Sequence, residues 1–269
     1  MWKTRAEPVR VRGEEFDSKW KRWYRCRMCE QRFHGFVGCA LGWACYKTYV
    51  SRPEGHSFRI HSISILGNGL GDLEVGRYED AVRVYEADLA YTTRYEGANI
   101  QALLATRDCL AGCLSHLDRE EEALALQREI FAETKEHFGI EHMETLEAAH
   151  SLAFELVESG HCVECTQFFF EFRILDLAMR IFGAEHDVTL TLRTLQGRAL
   201  SEDENASLDN LRQAVDILED VGPILSRVLG PRHPDTLSNE EALGEAREKL
   251  ARAEAPVARR TRSSKAEES

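Results

Sequence analysis

Five residues within twenty positions have the types and spacing to hold a metal ion. Cys26 and Cys29 form a C-x2-C pair, His34 follows after four residues, Cys39 after four more, and Cys45 lies six residues beyond that. A C-x2-C pair on a tight turn brings two thiolates to one ion at about 2.3 Å, and a His and a further Cys from the returning chain complete a tetrahedron. The sequence therefore predicts a structural Zn2+ whose four ligands come from Cys26, Cys29, His34, Cys39 and Cys45. The competing reading is packing. From Gly35 to Val50 the chain is apolar and helix-like, and Cys39 and Cys45 would be small core residues on that helix. Just upstream, Lys19 to Arg25 interleaves bases with Trp20, Trp23 and Tyr24. That composition suits stacking on single-stranded nucleic acid, and it suits the core of a small domain as well.

The Cys/His spacing resembles the zinc knuckle, a small module that usually binds single-stranded nucleic acid. Glu30 and Phe33 stand where that family carries glycines. Phe33-His34 with a downstream cysteine is also similar to RING- and PHD-type zinc modules, which would put Cys45 in place of His34 as the fourth ligand. Cys109 and Cys113, and Cys162 and Cys165, fall on helical stretches and read as packing.

The rest of the chain is organised by repetition. Gly97, Gly139, Gly183 and Gly230 recur at spacings of 42, 44 and 47 residues, and the last three are followed by His142-Met-Glu-Thr-Leu, His186-Asp-Val-Thr-Leu and His233-Pro-Asp-Thr-Leu. Self-similarity at a fixed period marks a solenoid, in which each unit buries its apolar face against its neighbours. Helix pairs are expected at 58–74 with 77–95, 99–116 with 119–138, 142–158 with 161–182, and 187–200 with 207–229, then a last helix at 234–252. Asp118 with Glu121 reads as a capping box. Gly76, Gly139, Gly160 and Gly183 read as left-handed helix stops. Ala81, Ala123, Cys165 and Ala214 occupy equivalent places where two helices approach closely. The aromatic run Phe168 to Phe172 covers most of a helix circumference, so a neighbouring repeat or a second protein should cover part of it.

Leu229-Gly-Pro-Arg-His-Pro-Asp-Thr-Leu237 matches the motif that opens a tetratricopeptide repeat (TPR) of the kinesin-light-chain type, and Phe182 to Leu190 and Phe138 to Leu146 follow it with two departures each. The resemblance covers about 190 residues. It implies an all-α, TPR-like superhelix of about four helix pairs plus a terminal helix, with a concave groove that takes peptides or partner proteins. The family's coiled-coil heptads are absent, so motor association and cargo do not carry over. The expected organisation is a mobile arm at 1–17, a Cys/His-rich module at 18–57, the repeat array at 58–250 and a disordered tail at 251–269.

The net charge is −12, yet residues 1–32 carry ten Lys/Arg against five Asp/Glu. An acidic array does not suit tracking along phosphates, whereas the basic start leaves a local anionic contact open. No apolar signal segment follows Met1, and the longest uncharged apolar run is too short to span a bilayer, so a cytoplasmic or, through Arg259 to Arg262, a nuclear protein is expected. Eight cysteines in such a chain do not make a disulfide framework. Gly67-Asn-Gly69-Leu-Gly71 has neither the preceding strand nor the Lys-Ser/Thr ending of a phosphate loop, and no acid, base and anion hole come together, so an enzyme is not expected. The function expected is a protein-interaction scaffold. Arg59, Asn68, Arg107, His150, Arg193 and Arg198 are its groove candidates, since polar side chains on first helices fix a bound peptide. The alternative is a nucleic-acid-binding adaptor that uses residues 18–50.

Overall fold

The computed structural model describes residues 20–26, 28, 31–53, 56–72, 74–93 and 100–267. Among them are eleven helices and no strand, apart from a single antiparallel bridge between Arg25 and Arg32. The helices are α1 (Gly35–Tyr49), α2 (Ser57–Leu70), α3 (Tyr78–Thr92), α4 (Ile100–Ser115), α5 (Glu120–Phe138), α6 (Met143–Glu158), α7 (Cys162–Phe172), α8 (Ile174–Ile181), α9 (Asp187–Glu202), α10 (Leu208–Val228) and α11 (Pro234–Glu267). The chain divides into two compact units, residues 1–126 and 127–269, with the division inside α5. The expected arm at 1–17 lies outside the described residues. At the other end α11 continues to Glu267, past residue 250, where a tail was expected.

In the second unit the repeated motif resolves into a set of hydrogen bonds. Gly139, Gly183 and Gly230 have φ of +87°, +99° and +102°, a conformation that a side chain would strain. Three residues on, a histidine caps the next helix. Nδ1 of His142 accepts the Glu144 N–H at 3.2 Å, and His186 and His233 accept from Val188 and Asp235 at 3.3 Å each. The phenyl rings of Phe138 and Phe182 stack on His142 and His186 at 4.8 and 4.7 Å. The motif threonine is buried and closes the turn: Thr145 Oγ1 donates to the Gly139 carbonyl at 2.8 Å, and Thr236 to that of Gly230 at 2.9 Å. The equivalent hydroxyl of Thr189 is buried without a partner. Successive repeats are then tied across their edges. Arg180 reaches back to Glu141 at 2.6 Å, and Arg227 reaches back to Glu185 at 2.7 Å.

The first unit uses the same cap at a place the motif does not mark. His56 opens α2 by accepting the Phe58 N–H at 3.2 Å. Helix α1 packs along α2, so the N-terminal segment adds a helix to the array. The two backbones come very close. A Cβ on Gly69 would stand 2.8 Å from Cys39 Cα, and one on Gly42 would stand 3.0 Å from the Ile65 carbonyl oxygen. The glycine run that superficially suggested a phosphate loop is therefore a helix-crossing surface.

Three local expectations need correcting. Asp118 is not an N-cap. Its φ of +57° makes it the left-handed stop of α4, and α5 starts two residues later at Glu120. The helix expected over 161–182 breaks at Arg173, whose φ of 51° and ψ of 41° separate α7 from α8. The break resets the phase of the chain, so that Phe168 and Phe169 before it and Ile174 and Ala178 after it are all buried. The phenyl rings of Phe168 and Phe172 close on Phe131 of α5 at 5.0 and 5.4 Å, so a neighbouring repeat covers part of the aromatic run while Phe170 stays exposed. Ala81, Ala123, Cys165 and Ala214 have no exposed surface, as two closely approaching helices require.

A buried amide completes the second unit. Asn239 of α11 is fully buried, accepts from Thr194 Oγ1 of α9 at 3.1 Å, and donates to the Leu218 carbonyl of α10 at 3.0 Å. Pro223, with no N–H to donate, lies in the next turn of α10.

Two outcomes follow from this packing. Gly69→Ala gains about 1 kcal/mol of helix propensity but forces the α1–α2 crossing apart at a cost of about 1–3 kcal/mol, so urea denaturation should show a net loss. Asn239→Ala removes the two buried hydrogen bonds that tie α11 to α9 and α10 and should cost about 1–3 kcal/mol by the same measurement.

Candidate functional site

The structure separates two of the five residues predicted to bind zinc. Cys45 is fully buried against Trp20 and Tyr49, while Cys39 faces a different cluster with Leu66, Leu70 and Tyr85. Both belong to the core of the α1–α2 hairpin. Burial, only partly offset by the Arg22 guanidinium, pushes the Cys45 thiol up to about 12, which keeps it protonated at neutral pH. Cys26 lies on a narrow turn, its N–H donating to the Gln31 carbonyl at 2.9 Å, and His34 sits at the start of α1. Cys29 lies outside the described residues. Among the described residues no three His, Cys, Asp or Glu side chains are placed to hold a metal ion. The apolar run from Gly35 onward carried the right signal for Cys39 and Cys45.

The stacking surface proposed for nucleic acid is also used internally. Trp20 is buried, packed against Tyr49, Phe58 and the edge of His61 at 6.3, 5.9 and 5.3 Å. Trp23 stands edge-on to Tyr49 at 6.1 Å and has Arg22 over its ring at 4.9 Å. These rings build the N-terminal end of the first unit and leave no paired platform for bases.

The groove candidates divide between the units. In the first, Arg59 donates to the Arg52 carbonyl at 2.9 Å and lies over the Tyr91 ring, and Arg107 is half-buried on α4. Asn68 accepts from the Tyr85 hydroxyl at 2.6 Å and lines a cavity of about 590 Å3 with Trp20, Trp23 and Asp72. In the second unit His150 and Arg198 share a groove of about 270 Å3, but Arg193 points away from it, toward Asp220 at 3.7 Å.

That second groove is built from the first helices of three successive repeats. Phe154 and His150 come from α6, Val188, Thr191, Leu195 and Arg198 from α9, and Asp235 and Ser238 from α11. They share a face because each set is spaced by three or four residues, one turn of helix. Phe154 keeps 45% of its surface exposed, and its ring faces Val188 and Leu195 as part of the groove lining. Arg198 is already engaged, by Glu202 and by Glu158 at 2.7 Å each. Of the residues that line it, sequence reasoning named His150 and Arg198 and missed the rest, Phe154, Asp187 and Asp235 among them. A signal was available for Phe154, which lies one turn beyond His150 on the same face of α6.

One buried carboxylate serves no groove. Asp88 of α3 is 1% exposed, with Oδ2 accepting from Ser64 at 3.0 Å and from Thr106 at 3.5 Å, and Oδ1 unpartnered. Burial raises its pKa to about 6, against the pull of those two hydroxyls.

Comparison with known proteins agrees with this architecture. The tetratricopeptide repeat family model matches residues 103–144. No curated protein sequence matches. Among solved structures, the nearly identical TPR-like repeats of a Podosopora anserina putative kinesin light chain align over 72% of this chain and 88% of that chain, with a TM-score of 0.56 and 21% identity. BtubC (BKLC) from P. vanneervenii aligns over 86% of this chain and 91% of that chain, with a TM-score of 0.62 and 17% identity. A Rap protein complexed with competence and sporulation factor aligns over 81% of this chain and 60% of that chain, with a TM-score of 0.50 and 15% identity. These likenesses establish an all-α, TPR-like fold.

If the thiols are core residues, Cys45→Ala should cost about 1–2 kcal/mol and Cys45→Ser about 1–3, since a buried hydroxyl there needs a partner. Both losses should be equal in EDTA and in added Zn2+; a loss that appears only with zinc present would restore Cys45 as a ligand. For Asp88, the folded state takes up a proton near pH 6 and the unfolded chain only near 4. Wild-type stability from this group therefore rises as the pH falls from about 7 to about 4. Asp88→Asn should gain about 1–3 kcal/mol at pH 7.5 and lose that advantage at pH 4.5.

Proposed function

We propose that the chain is a protein-interaction scaffold that binds an extended segment of a partner protein in the groove of α6, α9 and α11. The observation that carries this reading is the half-exposed Phe154 ring set among Val188, Leu195 and two threonines in a groove assembled from three repeats. At about 270 Å3 the groove falls below the roughly 300–1,000 Å3 of small-molecule sites, a size that suits one or two side chains of a peptide. The TPR-like fold supports the same reading, since repeat arrays present extended binding surfaces. No catalytic role is assigned. No helix among the described residues is long and apolar enough to cross a membrane.

Peptides selected from a random displayed library on the full chain test this directly. Thr191→Arg, which fills the groove with a long side chain, should weaken the selected ligands at least tenfold. Arg212→Ala, on an exposed residue of α10 paired with Glu254, should leave them unchanged. Ligands indifferent to Thr191→Arg would move the binding surface elsewhere.

A further inference from the structure

The groove has a sign. Asp187 and Asp235 stand at its mouth, and Glu158 and Glu202 hold the guanidinium of Arg198, the one arginine in its wall, between them. One turn and two turns along α11 from Ser238, on the same face, come Glu241 and Glu245, both exposed. The nearby ammonium of Lys249 is drawn inward to the Ser201 carbonyl at 2.9 Å. Carboxylates thus surround an apolar floor of Phe154, Val188 and Leu195, and the cations within reach are already engaged by the protein itself.

From this arrangement we infer that the groove selects a basic segment, in which one aliphatic or aromatic side chain is flanked on both sides by lysine or arginine. This rests on the groove being the binding surface and adds the chemistry of its ligand. The apolar side chain sits on Phe154 and Leu195, where it excludes water. The flanking cations face Asp187, Asp235, Glu241 and Glu245, and their attraction is screened by salt. Acidic segments, and the phosphates of nucleic acid, meet like charge along the same path.

The test uses the full chain and three labelled peptides of equal length: Ser-Lys-Arg-Leu-Lys-Arg-Ser, the same peptide with the leucine replaced by serine, and Ser-Glu-Glu-Leu-Glu-Glu-Ser. Fluorescence anisotropy should rank the first at least tenfold tighter than either other, and its affinity should fall severalfold between 50 and 300 mM NaCl. Glu241→Gln combined with Glu245→Gln should weaken it about fivefold without moving the urea midpoint, since both residues are exposed. Tighter binding of the acidic peptide, equal binding of the first two, or no binding of any overturns the inference. Ligands selected from the random library that are sensitive to Thr191→Arg but carry no basic residues would sink the charge preference and leave the groove standing.

Discussion

Everything in the second unit depends on how the chain reverses between one helical hairpin and the next. At each reversal the first backbone donors of the next helix have no acceptor within that helix and need one from outside it. The residues Gly-x-x-His and the threonine that follows meet that demand together. The glycine turns the chain, the imidazole caps, and at Gly139 and Gly230 the threonine hydroxyl returns to the glycine carbonyl. With the reversals fixed, the apolar faces of α6, α9 and α11 fall into line and the groove follows.

The reversals were legible because the same few residue types must recur wherever the same hydrogen bonds recur. Hence the helix pairs, the left-handed stops at Gly139 and Gly183, and the close-approach alanines could all be read from the chain. What was not legible depends on who sits opposite. Cys39 and Cys45 have ligand-like spacing along the sequence, but Gly69 and Ile65 across the hairpin pack against their side of α1. Asp118 followed by Glu121 satisfies the pattern of a capping box, yet its backbone serves the end of α4. Arg173 carries no mark of a left-handed residue, since glycine is the usual choice there; the need to bury Phe169 and Ile174 together imposes it.

The groove shows the same division. That first helices would line it followed from the repeat, and His150 and Arg198 are there. Choosing polar side chains on first helices also led to Arg193 and Arg198, one turned to Asp220 and the other held by Glu158 and Glu202. The pairing of Arg198 with Glu158, forty positions back, is invisible to a local reading.

Asn239 has a consequence of a different kind. Leucine and alanine faces are tolerant partners, and α11 displaced by one turn along α9 and α10 would still bury hydrocarbon. The carboxamide is less forgiving, because a slipped alignment would bury it away from both Thr194 and the Leu218 carbonyl. A single side chain thus singles out one alignment of the last helix over its near-degenerate competitors, and with it the positions of Asp235 and Ser238 in the groove wall.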